Sequence, residues 1–74
     1  MRISYDPSVD AAYIQLADGI GAGGVSFTYG CDPSAVDGSI HLDFDADGRL
    51  LGIEVLAASA KLPPELLEGA DLPS

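Results

Sequence analysis

Basic residues are scarce in this sequence. Three lysines and arginines stand against twelve aspartates and glutamates, which gives a formal net charge of −9. Binding to a nucleic acid backbone needs clustered Lys and Arg, so we expect no nucleic acid ligand. An acidic domain is suited instead to a basic protein partner, although solubility alone also accounts for such a charge.

Cysteine is nearly absent as well. The single Cys31 permits neither an intrachain disulfide nor a cysteine-rich metal site, and we expect it to serve as a small, half-buried hydrophobic side chain. Long apolar runs and a signal-peptide pattern are also missing. The sequence therefore predicts a cytoplasmic protein that does not contact the membrane.

The short length limits the core that this chain can build. Its 74 residues bury only about 60–65% of the unfolded surface, which leaves a thin margin of stability. We predict one α+β domain over residues 1–69 and a frayed tail over residues 70–74. Domains of this size are often stabilised by oligomerisation.

The stretch from Ile40 to Leu56 has the strongest local pattern, and it favours a β-hairpin. A two-residue type I′ turn at Asp47 and Gly48 sets the register. Three apolar pairs then share one face: Ile40 with Val55, Leu42 with Ile53 and Phe44 with Leu51. The other face pairs His41 with Glu54, Asp43 with Gly52 and Asp45 with Leu50. A type I turn with Gly48 as a left-handed bulge residue is the alternative.

The same stretch also matches a calcium-loop pattern, through Asp43, Asp45, Asp47, Gly48 and Glu54. That motif needs a flanking helix on each side, but the entering residues 37–42 include Gly, Ser and β-branched Ile in an alternating order, which disfavours a helix. In a hairpin, Glu54 would be carried about 23 Å from the turn. We therefore expect no metal site, and calcium binding stays an alternative function.

Further strands are indicated at Met1–Tyr5, Ala12–Leu16 and Val25–Tyr29, with Ile3 opposite Ile14. A glycine-rich connection and a turn-rich connection separate these strands from the hairpin. After Leu56, we predict one or two helical turns over residues 57–62 and a short helix over Pro64–Glu68. The fold class is thus α+β, a small antiparallel sheet of about five strands with a short C-terminal helix. We expect Leu62, Leu66 and Leu67 to cover the apolar face of the sheet, which is built by five residues: Ile3, Ile14, Phe27, Leu42 and Ile53.

No residue pattern indicates catalysis or a cofactor. The only candidates are Asp6 with Asp10, which read as turn residues, and His41 with Glu54 or Asp43, which read as a surface ion pair. We predict a non-enzymatic domain for protein association, with a homodimer as its leading form. An acidic cap on a basic partner protein is the second alternative. The candidate contact residues lie on the second face of the sheet: Tyr13, His41, Asp43, Asp45, Leu50 and Glu54.

Three runs resemble a family of small bacterial and archaeal proteins, the domain-of-unknown-function family 2283. They are Ile3–Asp10 leading to Ala12–Leu16, Leu42–Gly48, and Leu51–Leu56 with the Ala58-Ser59 and Leu62-Pro63 pairs that follow. The resemblance implies a small antiparallel sheet with a short C-terminal helix. It implies no catalytic or binding residues. Some members look like the small partners in predicted toxin–antitoxin gene pairs, which is compatible with the cap.

Overall fold

A computed structural model describes residues 1–21 and 23–72. These residues form an α+β fold, as predicted, with one antiparallel sheet of five strands in the order β1-β2-β5-β4-β3. The strands are β1 (Arg2–Asp6), β2 (Ala11–Gln15), β3 (Phe27–Gly30), β4 (Ile40–Phe44) and β5 (Leu50–Leu56). The helices are α1 (Pro33–Val36), α2 (Ala58–Lys61) and α3 (Pro64–Glu68).

The first hairpin joins β1 to β2, and its register is the predicted one, with Ile3 opposite Ile14. Strand β2 then pairs with β5, where Ile14 opposes Ile53 and Ala12 opposes Val55. Because opposed residues share a face of the sheet, one face collects the apolar side chains of all the strands. We call it the apolar face: Ile3, Tyr5, Ala12, Ile14, Phe27, Tyr29, Ile40, Leu42, Phe44, Ile53 and Val55.

The hairpin of β4 and β5 follows the predicted register only as far as Asp43 opposite Gly52. Beyond that point Phe44 opposes Leu50 rather than Leu51, and a β-bulge shifts the register. The type I′ turn is also wrong, because Gly48 has a φ of 80° but Asp47 is not in the left-handed region. The Asp45 carboxylate selects the alternative turn by accepting hydrogen bonds from the backbone N–H groups of Asp47 and Arg49, both at 2.9 Å.

The connection before β4 contains a helix that the sequence analysis did not predict. Helix α1 has only four residues, and the Asp-Pro-Ser sequence at its start is equally typical of a turn. Asp32 caps this helix by accepting a 3.0 Å hydrogen bond from the N–H of Ser34, and Pro33 supplies a fixed φ at the first helical position.

The two C-terminal helices lie over the part of the apolar face nearest β1, β2 and β5. Leu62 and Leu67 pack there against the buried hydrophobic residues, which are Ala12, Val55 and Ala58. This arrangement differs in two respects from the predicted cover of the apolar face. Leu66 remains 37% exposed, and Phe27 is not covered by the helices.

Asp71, which lies within the predicted tail, contacts the edge of the sheet. Asp71 accepts a hydrogen bond from Tyr5 N–H and donates its own N–H to Ile3, both at 2.8 Å, so that it forms a bridge along the outer edge of β1. Arg2 adds an exposed ion pair with the Asp71 carboxylate at 3.0 Å. Pro73 and Ser74, the last residues of the predicted tail, lie outside the described residues. No helix in the described ranges is long and apolar enough to cross a membrane.

Candidate functional site

Four of the six predicted contact residues lie together on the face opposite the apolar one. Tyr13, Glu54 and His41 are opposed across three neighbouring strands, β2, β5 and β4. Asp43 follows two positions after His41 and therefore points to the same side. We call this the polar face: Tyr13, Thr28, His41, Asp43, Gly52 and Glu54.

Tyr13 reaches across β5 to the carboxylate of Asp43. Its hydroxyl donates a 2.8 Å hydrogen bond to Oδ2, and the hydroxyl of Thr28 donates a 2.6 Å bond to Oδ1. The Tyr13 ring lies directly on Gly52, where a Cβ would collide with the ring and its hydroxyl. Burial, together with the hydrogen bond to Asp43, raises the pKa of Tyr13 to about 12. The phenol is therefore a fixed neutral donor at physiological pH.

His41 and Glu54 form the second pair on the polar face. His41 Nδ1 lies 3.2 Å from Glu54 Oε1, but the groups lack the alignment of a hydrogen bond. His41 Nδ1 is shielded from solvent, but the Glu54 side chain is 48% exposed. Because water screens a carboxylate this exposed, its attraction to a histidine contributes only about 0–1 kcal/mol even when the histidine is charged.

The residues of the calcium-loop pattern are divided between a turn and a strand. Asp45 uses Oδ1 to hold the hairpin turn, and both oxygens of Asp43 accept protein hydrogen bonds. Strands rather than helices flank the turn, so the helix-loop-helix interpretation of this stretch is wrong. Within residues 1–21 and 23–72, no cluster of three or more His, Cys, Asp or Glu side chains is arranged to hold a metal ion.

Leu50 does not join the polar face. The bulge places it opposite Phe44, so it lies with the aromatic residues at the far end of the apolar face. Phe44 stacks on Phe27 with ring centroids 4.8 Å apart and an interplanar angle of 12°. Phe27 and Tyr29 are nevertheless 52% and 58% exposed. We call this group the aromatic surface: Phe27, Tyr29, Phe44 and Leu50.

The sequence does not predict the aromatic surface, because the alternation of apolar residues assigns Phe27 to the face that the C-terminal helix is expected to cover. One signal in the sequence points to it. Residues 19–31 contain no Asp, Glu, Lys or Arg, and this is the longest such stretch in a strongly acidic chain. Strand β3 lies inside that stretch and at the edge of the sheet.

Comparison with known protein families identifies the chain at the family level. The model of a family described as a protein of unknown function, DUF2283, matches residues 2–59. The chain belongs to this family. The DUF2283 match includes all five strands and the polar face, and it ends inside α2. Neither a curated protein nor a solved structure gives a significant match to the chain.

Proposed function

We propose that this DUF2283 protein is a non-enzymatic association domain that pairs with a second copy of itself through the aromatic surface. The observation that carries the proposal is the exposure of Phe27 and Tyr29 on an apolar sheet face. Monomeric soluble proteins expose single apolar residues routinely, but neighbouring exposed aromatic residues are typical of interaction sites.

The incomplete cover of the apolar face supports the proposal. Helices α2 and α3 have four and five residues, which is too little to cover a sheet of five strands. The buried apolar side chains within the described ranges are also small or medium in size: Ala12, Val55 and Ala58. A domain with so small a core gains stability when a partner covers the remaining apolar surface.

Burial of the exposed aromatic rings supplies part of the free energy that association requires. Fully burying one large apolar side chain contributes about 1.5–3 kcal/mol. Phe27 and Tyr29 are each about half exposed in one copy, and a symmetric pair buries these rings twice. The gain is on the order of a few kcal/mol, and aromatic residues at the centre of an interface are the usual carriers of such energy.

Electrostatics favours this surface over others for contact between two acidic copies. Each copy carries a formal charge of −9, so most approaches bring like charges together and are repelled. The four residues of the aromatic surface are all uncharged. Two copies can therefore meet here with less repulsion than on the polar face, where Asp43 and Glu54 lie.

Light scattering over a concentration series tests the proposal with two variants of equal charge. Phe27→Lys places a charge on the aromatic surface, and Val9→Lys places the same charge on an exposed apolar residue in the turn between β1 and β2. We expect the wild type and Val9→Lys to dimerise and Phe27→Lys to remain monomeric, with circular dichroism confirming that all three are folded. A wild type that stays monomeric at high micromolar concentration would refute the proposal.

The polar face supports a second candidate function, the binding of a basic protein partner. The exposed Glu54 carboxylate and the net charge of −9 favour a cationic ligand. Calorimetric titration with a short lysine-rich peptide tests this candidate. Glu54→Gln should weaken binding more than Glu65→Gln, which removes the same charge from α3. Equal losses in the two variants would indicate unspecific attraction and would end this candidate.

A further inference from the structure

Strand β3 forms one edge of the sheet, and of the two edges it is the more open within the described residues. At the opposite edge of the sheet, β1 is bridged by Asp71. No described segment pairs with β3 on its outer side. Natural edge strands usually carry charges, proline or bulges that prevent further pairing, but Phe27–Gly30 contains no charged residue and no proline.

The hydrogen-bonding pattern shows which backbone groups point outward. Cys31 N–H donates a 2.8 Å bond to the carbonyl of Ile40, the residue opposite it. Bonded and non-bonded pairs alternate along an antiparallel ladder. Phe27, Tyr29 and Cys31 therefore direct their N–H and C=O groups at β4, whereas Thr28 and Gly30 direct theirs away from the sheet.

We infer that two copies join edge to edge, with β3 antiparallel to β3 of the second copy and Tyr29 on the two-fold axis. The inference rests on the self-association proposed above. In this register Thr28 of each copy faces Gly30 of the other, and all the outward N–H and C=O groups of these two residues are paired. The amide of Ser26 takes no part, because it already donates to the carbonyl of Phe44 at 2.7 Å.

This register gives the aromatic surface a defined place in the dimer. Tyr29 faces its own counterpart as a non-hydrogen-bonded pair, the type in which opposed side chains lie closest. Phe27 faces Cys31 of the second copy. The aromatic surfaces of the two copies then adjoin on one side of a continuous sheet, and no charged residue of β3 is brought into the contact.

Disulfide trapping tests the register directly. In a Cys31→Ser background, Tyr29→Cys places two thiols opposite each other across the axis, at a separation that a disulfide can span. Thr28→Cys in the same background places them on the other face and about two residues out of register. We expect Tyr29→Cys to form a disulfide-linked dimer under mild oxidation and Thr28→Cys to fail. Equal crosslinking of both variants, or none at Tyr29, would overturn the register.

A second pair of variants tests the edge without altering an aromatic residue. Thr28→Pro removes an outward N–H, and proline is tolerated at an edge position whose N–H faces solvent. Thr28→Val keeps that N–H and equally removes the hydroxyl bond to Asp43. We expect loss of the dimer in Thr28→Pro alone. If the wild type is dimeric but both Thr28 variants remain so, the edge inference fails and self-association stands. If the wild type is monomeric, both fail.

Discussion

The hydroxyl of Tyr13 donates a hydrogen bond of 2.8 Å to the carboxylate of Asp43, two strands away on the polar face. The intervening strand β5 has Gly52 at the crossing point, and the phenol ring lies where a side chain would otherwise stand. Strands β2, β5 and β4 are thereby joined by side chains as well as by their backbone ladders. Tyr13 and Asp43 are therefore held in a fixed arrangement on the polar face.

Gly52→Ala should destabilise the protein, because the new methyl group displaces the Tyr13 ring. Overpacking of this kind costs about 1–3 kcal/mol. In a Tyr13→Ala background the same substitution should cost much less, since the colliding ring is absent. Urea unfolding of the four proteins in this cycle measures the difference. Equal costs in the two backgrounds would contradict the close contact between the ring and Gly52.

Asp43→Asn should lower the pKa of Tyr13 from about 12. The carboxylate disfavours the phenolate because it accepts a hydrogen bond from the neutral hydroxyl and because its negative charge repels a second one, so its removal makes ionisation easier. The pKa should stay above 10.0, because burial, the larger cause, remains. Thr28→Val is the matched control, since it removes a bond to Asp43 but keeps the charge. An NMR titration of labelled tyrosine distinguishes the two variants, and an unchanged Tyr13 pKa in Asp43→Asn would refute the coupling.

Asp10 should stabilise the fold in a pH-dependent manner. Its carboxylate accepts hydrogen bonds from the Tyr5 hydroxyl at 2.7 Å and from the N–H and hydroxyl of Ser59 at 3.0 and 2.7 Å. These bonds hold the pKa of Asp10 below its ordinary value of 3.8. The stabilisation is therefore fully present above that value and is lost as the pH falls through the lower, folded-state pKa.

Asp10→Asn is the informative variant, because asparagine tolerates the left-handed backbone at this position, where φ is 53°. Its urea midpoint should lie below that of the wild type at neutral pH. The gap should close in acid, as the wild type loses the charged form. A gap that is independent of pH down to strongly acid conditions would show that the carboxylate charge plays no part.

Calcium should not bind saturably at micromolar concentration. Asp45 holds the turn, Asp43 is bonded to Tyr13 and Thr28, and Glu54 lies on β5 beside His41. Binding would have to break these bonds and refold the hairpin. Calorimetric titration of metal-free protein should give no saturable heat. Micromolar binding with NMR shifts at Asp43 and Glu54 would contradict this prediction and show that the loop binds calcium although strands flank it.

The sequence predicts which residues pair within a hairpin better than it predicts the order of the strands in the sheet. Alternating apolar residues and a single favourable offset are sufficient to place Ile3 opposite Ile14 and Leu42 opposite Ile53, because a slip of one residue would expose every apolar side chain. The order of the strands is different. It depends on β2 pairing with β5, a contact between residues about forty positions apart in the chain, which no local pattern encodes.

The wrong predictions concern features that depend on small differences in local energy or on contacts between distant parts of the chain. Two turn types compete at Asp47 and Gly48, and the Asp45 side chain settles the choice and with it the position of Leu50. The contact of Tyr13 with Gly52 and Asp43 joins three separate strands. The exposure of Phe27 depends on where two short helices lie, which their own sequences do not determine.

Amide hydrogen exchange of the unmodified protein tests self-association through the β3 edge most directly. Thr28 and Gly30 have outward N–H groups, whereas the Tyr29 N–H points toward β4 and serves as an internal control. In dilute solution we predict fast exchange at Thr28 and Gly30 and slow exchange at Tyr29. At high micromolar concentration Thr28 and Gly30 should become protected while Tyr29 changes little. Exchange at Thr28 and Gly30 that stays equally fast at both concentrations would contradict the account.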